Sequence, residues 1–206
     1  MRARLPYVVA VLALVFSACA SSRSALTNLW VDTRHEAVPT GHVMVVALWQ
    51  DADARALWEE RFTEMLEQRQ AGATPSYLEL ESPMPDSAAV FREARSRKCD
   101  SVIVIHEHVM DRNTYYVPGF TVPQKQKIPR WYRSSGGVEV WAGGNAVEYS
   151  TLSCDVELWT PDGRGGMVWS GTTKLLHPGS DDYAATRVAD AVLGELSRLG
   201  LVSGQF

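Results

Sequence analysis

The sequence predicts an α/β domain on a mixed sheet, with elements in the order β-α-β-α-β-β-β-α and three main helices packed on it. Three observations lead there. Two apolar runs of strand length, 42–49 (HVMVVALW) and 100–110 (DSVIVIHEHVM), are separated by helical patterns. Between 147 and 160 the period changes to strict alternation, which a Pro161-Asp162-Gly163 turn joins to a second strand pattern. The chain then closes on a further amphipathic stripe.

Taken in order, 42–49 is apolar almost throughout, the pattern of a strand covered on both faces. Asp51 or Asp53 caps a helix in which Ala54, Trp58, Phe62, Met65 and Leu66 recur at helical spacing, and Gly72 stops it. Residues 73–80 (ATPSYLEL) read as the next strand, with Pro75 near its start, where a missing N–H is tolerated. Pro83 and Pro85 mark a loop. Asp86 caps a second helix through Val90, Ala94 and Lys98, with Arg95, Arg97 and Lys98 at the end where the helix dipole favours cations. Four β-branched residues, Val102 to Ile105, mark a central strand. The β-α-β-α-β order to this point implies parallel strands joined by right-handed crossovers.

Residues 111–146 break the pattern. Pro118, Pro123, Pro129 and five glycines interrupt it, and neither period is sustained, so a long loop insertion is expected there. Beyond it Leu152, Cys154, Val156 and Leu158 alternate with Ser153, Asp155 and Glu157, and 167–176 is the return strand of a hairpin. Asp181 or Asp182 opens the last helix, whose stripe is Ala185, Val188, Ala189, Val192, Leu196 and Leu199.

The amino terminus carries an address. Arg2 and Arg4 precede an apolar run from Leu5 to Phe16 that ends in Ser17 and Ala18, the layout of a secretory signal peptide and too short for a comfortable membrane span. Phe16-Ser17-Ala18-Cys19 resembles the bacterial lipobox, in which the cysteine is acylated and becomes the new amino terminus. Phe16 departs from the usual Leu. The competing reading is plain cleavage after Ala20, because Ala18-Cys19-Ala20 also forms an A-x-A site. The expected organisation is a signal peptide at 1–18, a short lipidated tether at 19–29, and one α/β domain at 30–206 carrying the 111–146 insertion. Acyl chains on Cys19 would hold the protein on membrane lipid at about 0.8 kcal/mol per buried methylene. The lipobox resemblance further implies the outer membrane, periplasmic face, since Ala20-Ser21-Ser22 rather than Asp follow the cysteine.

Composition sets bounds. The chain has 206 residues, 46% of them apolar and 21% charged, in the range of a globular domain. Its net charge of −4 argues against nucleic acid as a partner. Cys99 and Cys154 are candidates for a disulfide in an oxidising compartment, the alternative being two buried free thiols.

The element order, the lipobox, Arg55 with Glu59 and Phe62, Ser76-Tyr77, the strand start Asp100-Ser101-Val102-Ile103-Val104 and Val168-Trp169-Ser170-Gly171 together resemble uncharacterised bacterial lipoproteins. Their topology is similar to the amino-terminal domain of the translocation protein TolB and to related envelope-assembly lipoproteins. The resemblance spans residues 30 to 202, implies a fold and an envelope setting, and supplies no catalytic residues.

Two constellations stand out from this background. His106 and His108 share one face of a strand, and Asp155 or Glu157 from the hairpin would complete a metal or small-ligand site there. The alternative is that both histidines hydrogen-bond where the strand leaves the core. Within 111–146, Arg112, Lys125, Lys127, Arg130 and Arg133 are interleaved with Tyr115, Tyr116, Phe120, Trp131, Tyr132 and Trp141, residue types enriched at binding hot spots. That segment reads as an arm for an envelope partner or a second copy, a lid on its own domain, or a membrane-surface contact. Arg55 and Glu59, four apart on a helix, read as a surface pair worth about 0.3 kcal/mol. No nucleophile elbow or phosphate loop occurs, and nothing calls for a cofactor. The expectation is a non-enzymatic interaction module.

Overall fold

The computed structural model describes residues 24–34, 40–106, 109–117, 120–124, 138–142, 145–161 and 166–203. Its strands are β1 (Ala25–Val31), β2 (His42–Leu48), β3 (Gly72–Pro75), β4 (Ser101–His106), β5 (Val109–Val117), β6 (Phe120–Gln124), β7 (Val138–Ala142), β8 (Asn145–Thr160) and β9 (Gly166–Leu176). Its helices are α1 (Ala52–Gln68), α2 (Ser87–Ser96) and α3 (Asp181–Arg198). Seven strands make one mixed sheet in the order β1-β9-β8-β4-β2-β3, with β5 alongside β8. The expected α/β architecture with three helices on a mixed sheet is therefore present.

β2 runs parallel to both β3 and β4, as two consecutive crossovers through α1 and α2 require. From β4 onward the partners are antiparallel: β8 beside β4, β9 beside β8, β1 beside β9. Each helix begins at a side-chain cap. Asp51 accepts from the Ala54 N–H at 2.8 Å, Asp86 from Ala89 at 2.7 Å, and Ser180 from Tyr183 at 3.2 Å. The third cap falls one residue before the expected Asp181, leaving Asp181 and Asp182 in the first turn, where the dipole favours acids.

The two faces of the sheet are covered unequally. α1 and α3 pack on one face, where Val43, Val45, Ala47, Ile103, Ile105, Cys154 and Val156 meet Trp58, Phe62, Leu66, Val188 and Val192. Gly171 serves this layer: a Cβ there would lie 2.8 Å from the Trp169 ring, so the ring closes over bare backbone. On the other face α2 alone covers the parallel half, where Met44, Val46 and Val102 meet Val90, Ala94 and Cys99. The antiparallel half of that face carries no helix among the described residues.

Four expectations need correction. Residues 111–146 are not a patternless loop. β5 pairs with the amino-terminal half of β8 from Val109↔Ser153 to Val117↔Asn145, and β6 pairs with β7 as a separate two-stranded sheet. The prolines and glycines of this stretch interrupt both the helical and the strand period, so the pairing of these strands has no apolar alternation to announce it. The expected strand 100–110 is two strands, β4 and β5, which occupy one edge of β8 in succession. The tether is shorter than 19–29, because β1 starts at Ala25 and forms the sheet edge on β9. Asn28, at φ 51°, makes a bulge there, and the register shifts between Thr27 and Trp30, which hides the strand's alternation. The strand expected over 73–80 stops at Pro75, and Ser76–Leu78 turn into a 3-10 helix. Of the two readings of the cysteines the structure has the free thiols, since Cys99 and Cys154 are both free and buried. They belong to the clusters on opposite faces of the sheet, which keeps them from bridging.

Arg55 and Glu59 are not a surface pair either. Their side chains are 4% and 0% exposed, and Arg55 Nε donates to Glu59 Oε1 at 3.0 Å. β3 ends opposite Val45, so the Ala47 N–H has no strand partner on that side, and Glu59 Oε1 accepts it at 2.9 Å. Ser76 Oγ donates to the same oxygen at 2.8 Å, and the Tyr77 N–H to Oε2 at 2.7 Å. Arg55 Nη1 donates to the carbonyls of Leu80 and Ser82 at 3.1 and 2.6 Å, and Nη2 to Ser76 Oγ at 2.9 Å. The carboxylate thus stands in for the strand residue that Pro75 and the 3-10 turn remove.

Removing one partner of a buried pair leaves the other charged and unsatisfied, at about 3–5 kcal/mol. Glu59→Ala is therefore expected to lower the denaturant-unfolding free energy by about that amount, while an apolar replacement of Arg55 and Glu59 together recovers most of it. In the thiol chemistry, burial pushes Cys99 up to about 11 and Cys154 above its ordinary value. The chain alkylated in denaturant without reductant should gain adducts at both Cys99 and Cys154, and neither should react quickly in the folded state. A bridged pair would give no adduct at either position.

Candidate functional site

The alternation of β8 builds the site. With Cys154, Val156 and Leu158 directed into the α1/α3 layer, Asp155, Glu157 and Trp159 fall on the face that α2 only partly covers. The register sets Glu157 opposite Val104 on β4 and Ser170 on β9, and Asp155 opposite Thr172. His106, the last residue of β4, shares a face with Val104.

A polar row crosses this face. Asn28 Nδ2 donates to Thr172 Oγ1 at 3.4 Å, and Thr172 Oγ1 donates to Asp155 Oδ1 at 2.7 Å. Beside it the Trp159 indole N–H donates to Glu157 Oε2 at 2.8 Å, and His106 Nε2 lies 3.5 Å from the same oxygen. That separation is an ion contact rather than a well-formed hydrogen bond. The Glu157 carboxylate raises the His106 pKa against the opposing effect of burial. His106 and then Trp159 hold Glu157 below the usual carboxylate range, again against burial.

Two cavities meet at Glu157. One, of about 310 Å³, is a polar basin over Asn28, His106, Asp155, Ser170 and Thr172. The other, of about 240 Å³, is an apolar slot between α2 and the sheet, lined by Val46, Leu48, Val90, Phe91, Val104 and Trp159. Phe91 and Trp159 form one wall, with ring centroids 6.0 Å apart and planes inclined at 51°. The Arg55 bonds to Leu80 and Ser82 tie down the segment leading to Pro85 and Ser87 at the mouth of the slot.

The residues singled out in the sequence divide between these elements. His106, Asp155 and Glu157 come together as expected, whereas His108 lies outside the described residues. Among the described residues no three His, Cys, Asp or Glu side chains stand close enough to hold a metal ion. Tyr115 and Tyr116 are on β5, Phe120 on β6 and Trp141 on β7, with side chains outside the described set. Arg130, Trp131, Tyr132 and Cys19 lie outside the described residues altogether. Sequence reasoning missed the apolar slot. Its walls come from β2, α2, β4 and β8, and only Trp159, a bulky aromatic on the polar side of the β8 alternation, signalled it.

No protein-family model matches the chain, and no curated protein does. Among solved structures it is similar to the PelC dodecamer from Paraburkholderia phytofirmans, at 14% identity over 88% of this chain and 99% of that one, with a TM-score of 0.46. A leucine-to-methionine variant of the same dodecamer gives 17% identity over 84% and 97%, with a TM-score of 0.42. A PDZ domain protein from Parabacteroides distasonis gives 12% identity over 90% of this chain and 39% of that one, with a TM-score of 0.39. No helix among the described residues is long and apolar enough to cross a membrane.

The pair of pKa shifts makes a pH prediction. His106 is raised, so its contribution to stability is complete below the ordinary 6.5 and is lost as pH rises through the folded value. Glu157 is lowered, so its contribution is complete above the ordinary 4.5 and is lost as pH falls through the folded value. The ion pair therefore stabilises most between those two ordinary values. An NMR titration should place the His106 midpoint above 6.5, and Glu157→Gln should lower it, because burial is then opposed only by the weaker pull of Asp155. An unchanged midpoint would show that the contact is not formed.

Proposed function

We propose that this chain is a lipid-anchored envelope protein, held by acylated Cys19 at the periplasmic face of the outer membrane, that works by binding a partner rather than by catalysis. The observation that carries the reading is the amino-terminal sequence, a basic start, the apolar run to Phe16 and Ser17-Ala18-Cys19, set close before the first strand of the sheet. Ala25 follows Cys19 by only six positions, a span of at most about 20 Å when fully extended. The domain would then sit close against the bilayer.

On this reading, the sheet register supports one end as the one turned toward the bilayer. β1 starts at Ala25 opposite Lys174, near the end of β9, so the chain enters the sheet where β9 finishes and α3 begins. Exposed Leu176 and Tyr183 belong to the same end. β8 residues 145–150 extend past the last β9 partner, Thr151↔Leu176, and there pair only with β5. The ribbon that leads to the aromatic and basic segment thus leaves the sheet at the end where β1 enters, which supports an arm on the membrane side. A partner met by this arm would be one held at the same membrane surface, either another envelope protein or a second copy.

Two measurements test the reading. Cys19→Ser should move the protein from the membrane fraction to the soluble periplasm, and mass spectrometry of the wild-type amino terminus should find acylated Cys19. A free amino terminus at Ser21 would sink the anchor. Replacing 118–144 by an Asn-Gly turn keeps the β5–β8 pairing through Val117↔Asn145. That variant should keep the wild-type unfolding midpoint and lose partners crosslinked at the native membrane. Retention of every crosslink would sink the arm.

A further inference from the structure

The apolar slot beside α2 has a composition that selects a ligand. Val46, Leu48, Val90 and Val104 make an apolar floor and side, Phe91 and Trp159 an aromatic wall, and the one charged group in the lining is the Glu157 carboxylate at the junction with the polar basin. Its Oε2 accepts the Trp159 indole N–H at 2.8 Å, which fixes the carboxylate against the edge of the aromatic wall. No described residue donates to its Oε1. At about 240 Å³ the slot is smaller than the roughly 300 Å³ at which sites for drug-sized molecules begin.

We infer that this slot binds a small organic ammonium ion, its apolar or aromatic body between α2 and the sheet and its cationic head between the Glu157 carboxylate and the Trp159 ring. A carboxylate beside an indole is suited to such a head on two counts. The carboxylate supplies a charge-assisted hydrogen bond, and the ring face adds a cation–π attraction. An anionic ligand of the same shape would meet the carboxylate and be rejected. A neutral one would leave Glu157 desolvated without compensation. The oxygen that accepts from Trp159 already has His106 Nε2 3.5 Å away, a cationic neighbour when protonated, and a bound ammonium ion would share the carboxylate with it or replace that contact.

The inference is independent of the envelope reading, and its test uses the mature folded chain. The isotope-labelled protein is titrated with phenethylamine, with phenylacetate as the anionic counterpart, while the Trp159 indole N–H resonance is followed. Phenethylamine should shift that resonance saturably, phenylacetate should not, and Glu157→Gln should weaken binding at least about tenfold with the backbone amide spectrum unchanged. Val104→Met, which fills the floor of the slot and leaves the carboxylate in place, should also abolish the shift. The inference is overturned if no saturable shift occurs up to about 10 mM. It is equally overturned by comparable binding of phenylacetate, or by full affinity in Glu157→Gln. An acetylated and amidated Trp-Arg dipeptide is the last arm: binding of the dipeptide without binding of phenethylamine would give the slot to a side chain of a protein partner and overturn its assignment to a small molecule.

Discussion

One carboxylate holds the parallel half of this domain together. Glu59 accepts hydrogen bonds from the backbone of β2 at Ala47, the backbone of the 3-10 turn at Tyr77, the Ser76 hydroxyl and the Arg55 guanidinium, all at or below 3.0 Å. The constraint behind it is general: a buried backbone N–H must find an acceptor, and the strand that would supply one ends at Pro75. A carboxylate reaching in from α1 meets the demand at the cost of burying a charge. Arg55 offsets that charge and in turn takes the carbonyls of Leu80 and Ser82. Every charged atom of the pair has a partner, the condition under which a buried ion network specifies one arrangement instead of weakening the core.

From that network follows the shape of the exposed face. Arg55 anchors the segment that leads into α2, so α2 lies over β2 and β4, and among the described residues no helix covers β8 and β9 on that face. Two helices on one face and one on the other give a sheet with a complete core on one side and half a core on the other. The boundary of the half core is where Glu157, His106 and Trp159 meet solvent. A carboxylate at such a boundary is partly desolvated yet reachable, the setting in which its charge acts most strongly on a neighbour or a ligand. At the end of the sheet where β9 finishes, β1 enters opposite Lys174 and β8 runs on past its last β9 partner to pair with β5.

The residues that carried the family resemblance, Arg55, Glu59, Phe62, Ser76 and Tyr77, turn out to be the members or near neighbours of the buried network. Their burial was legible in principle. Glu59 lies three residues before Phe62 and seven before Leu66, on the apolar stripe of α1, and Arg55 lies three before Trp58. An i, i+4 ion pair on the apolar stripe is a buried pair, and spacing alone cannot distinguish it from a surface one. The free thiols were a matter of geometry in the same way. Which face of the sheet Cys99 and Cys154 belong to depends on the loop after α2 and on the β8 register.

The sequence by itself determined the fold class, the three helices, the parallel β2 and β4, and the β8–β9 hairpin. Each of these buries an apolar stripe at a fixed period, and the period is written along the chain. It also placed Asp155 and Glu157 on one face of their strand as candidates to join His106, and the β4–β8 pairing brings all three to one basin. Only the tertiary structure decided the β1 edge strand, the β5–β8 ribbon, the buried Arg55–Glu59 pair and the slot beside α2. A bulged edge and a ribbon interrupted by proline and glycine have no sustained period to read, and the surroundings of the pair and the walls of the slot come from residues far apart in sequence. Their chemistry exists only once backbone hydrogen bonds and helix packing have set those residues side by side.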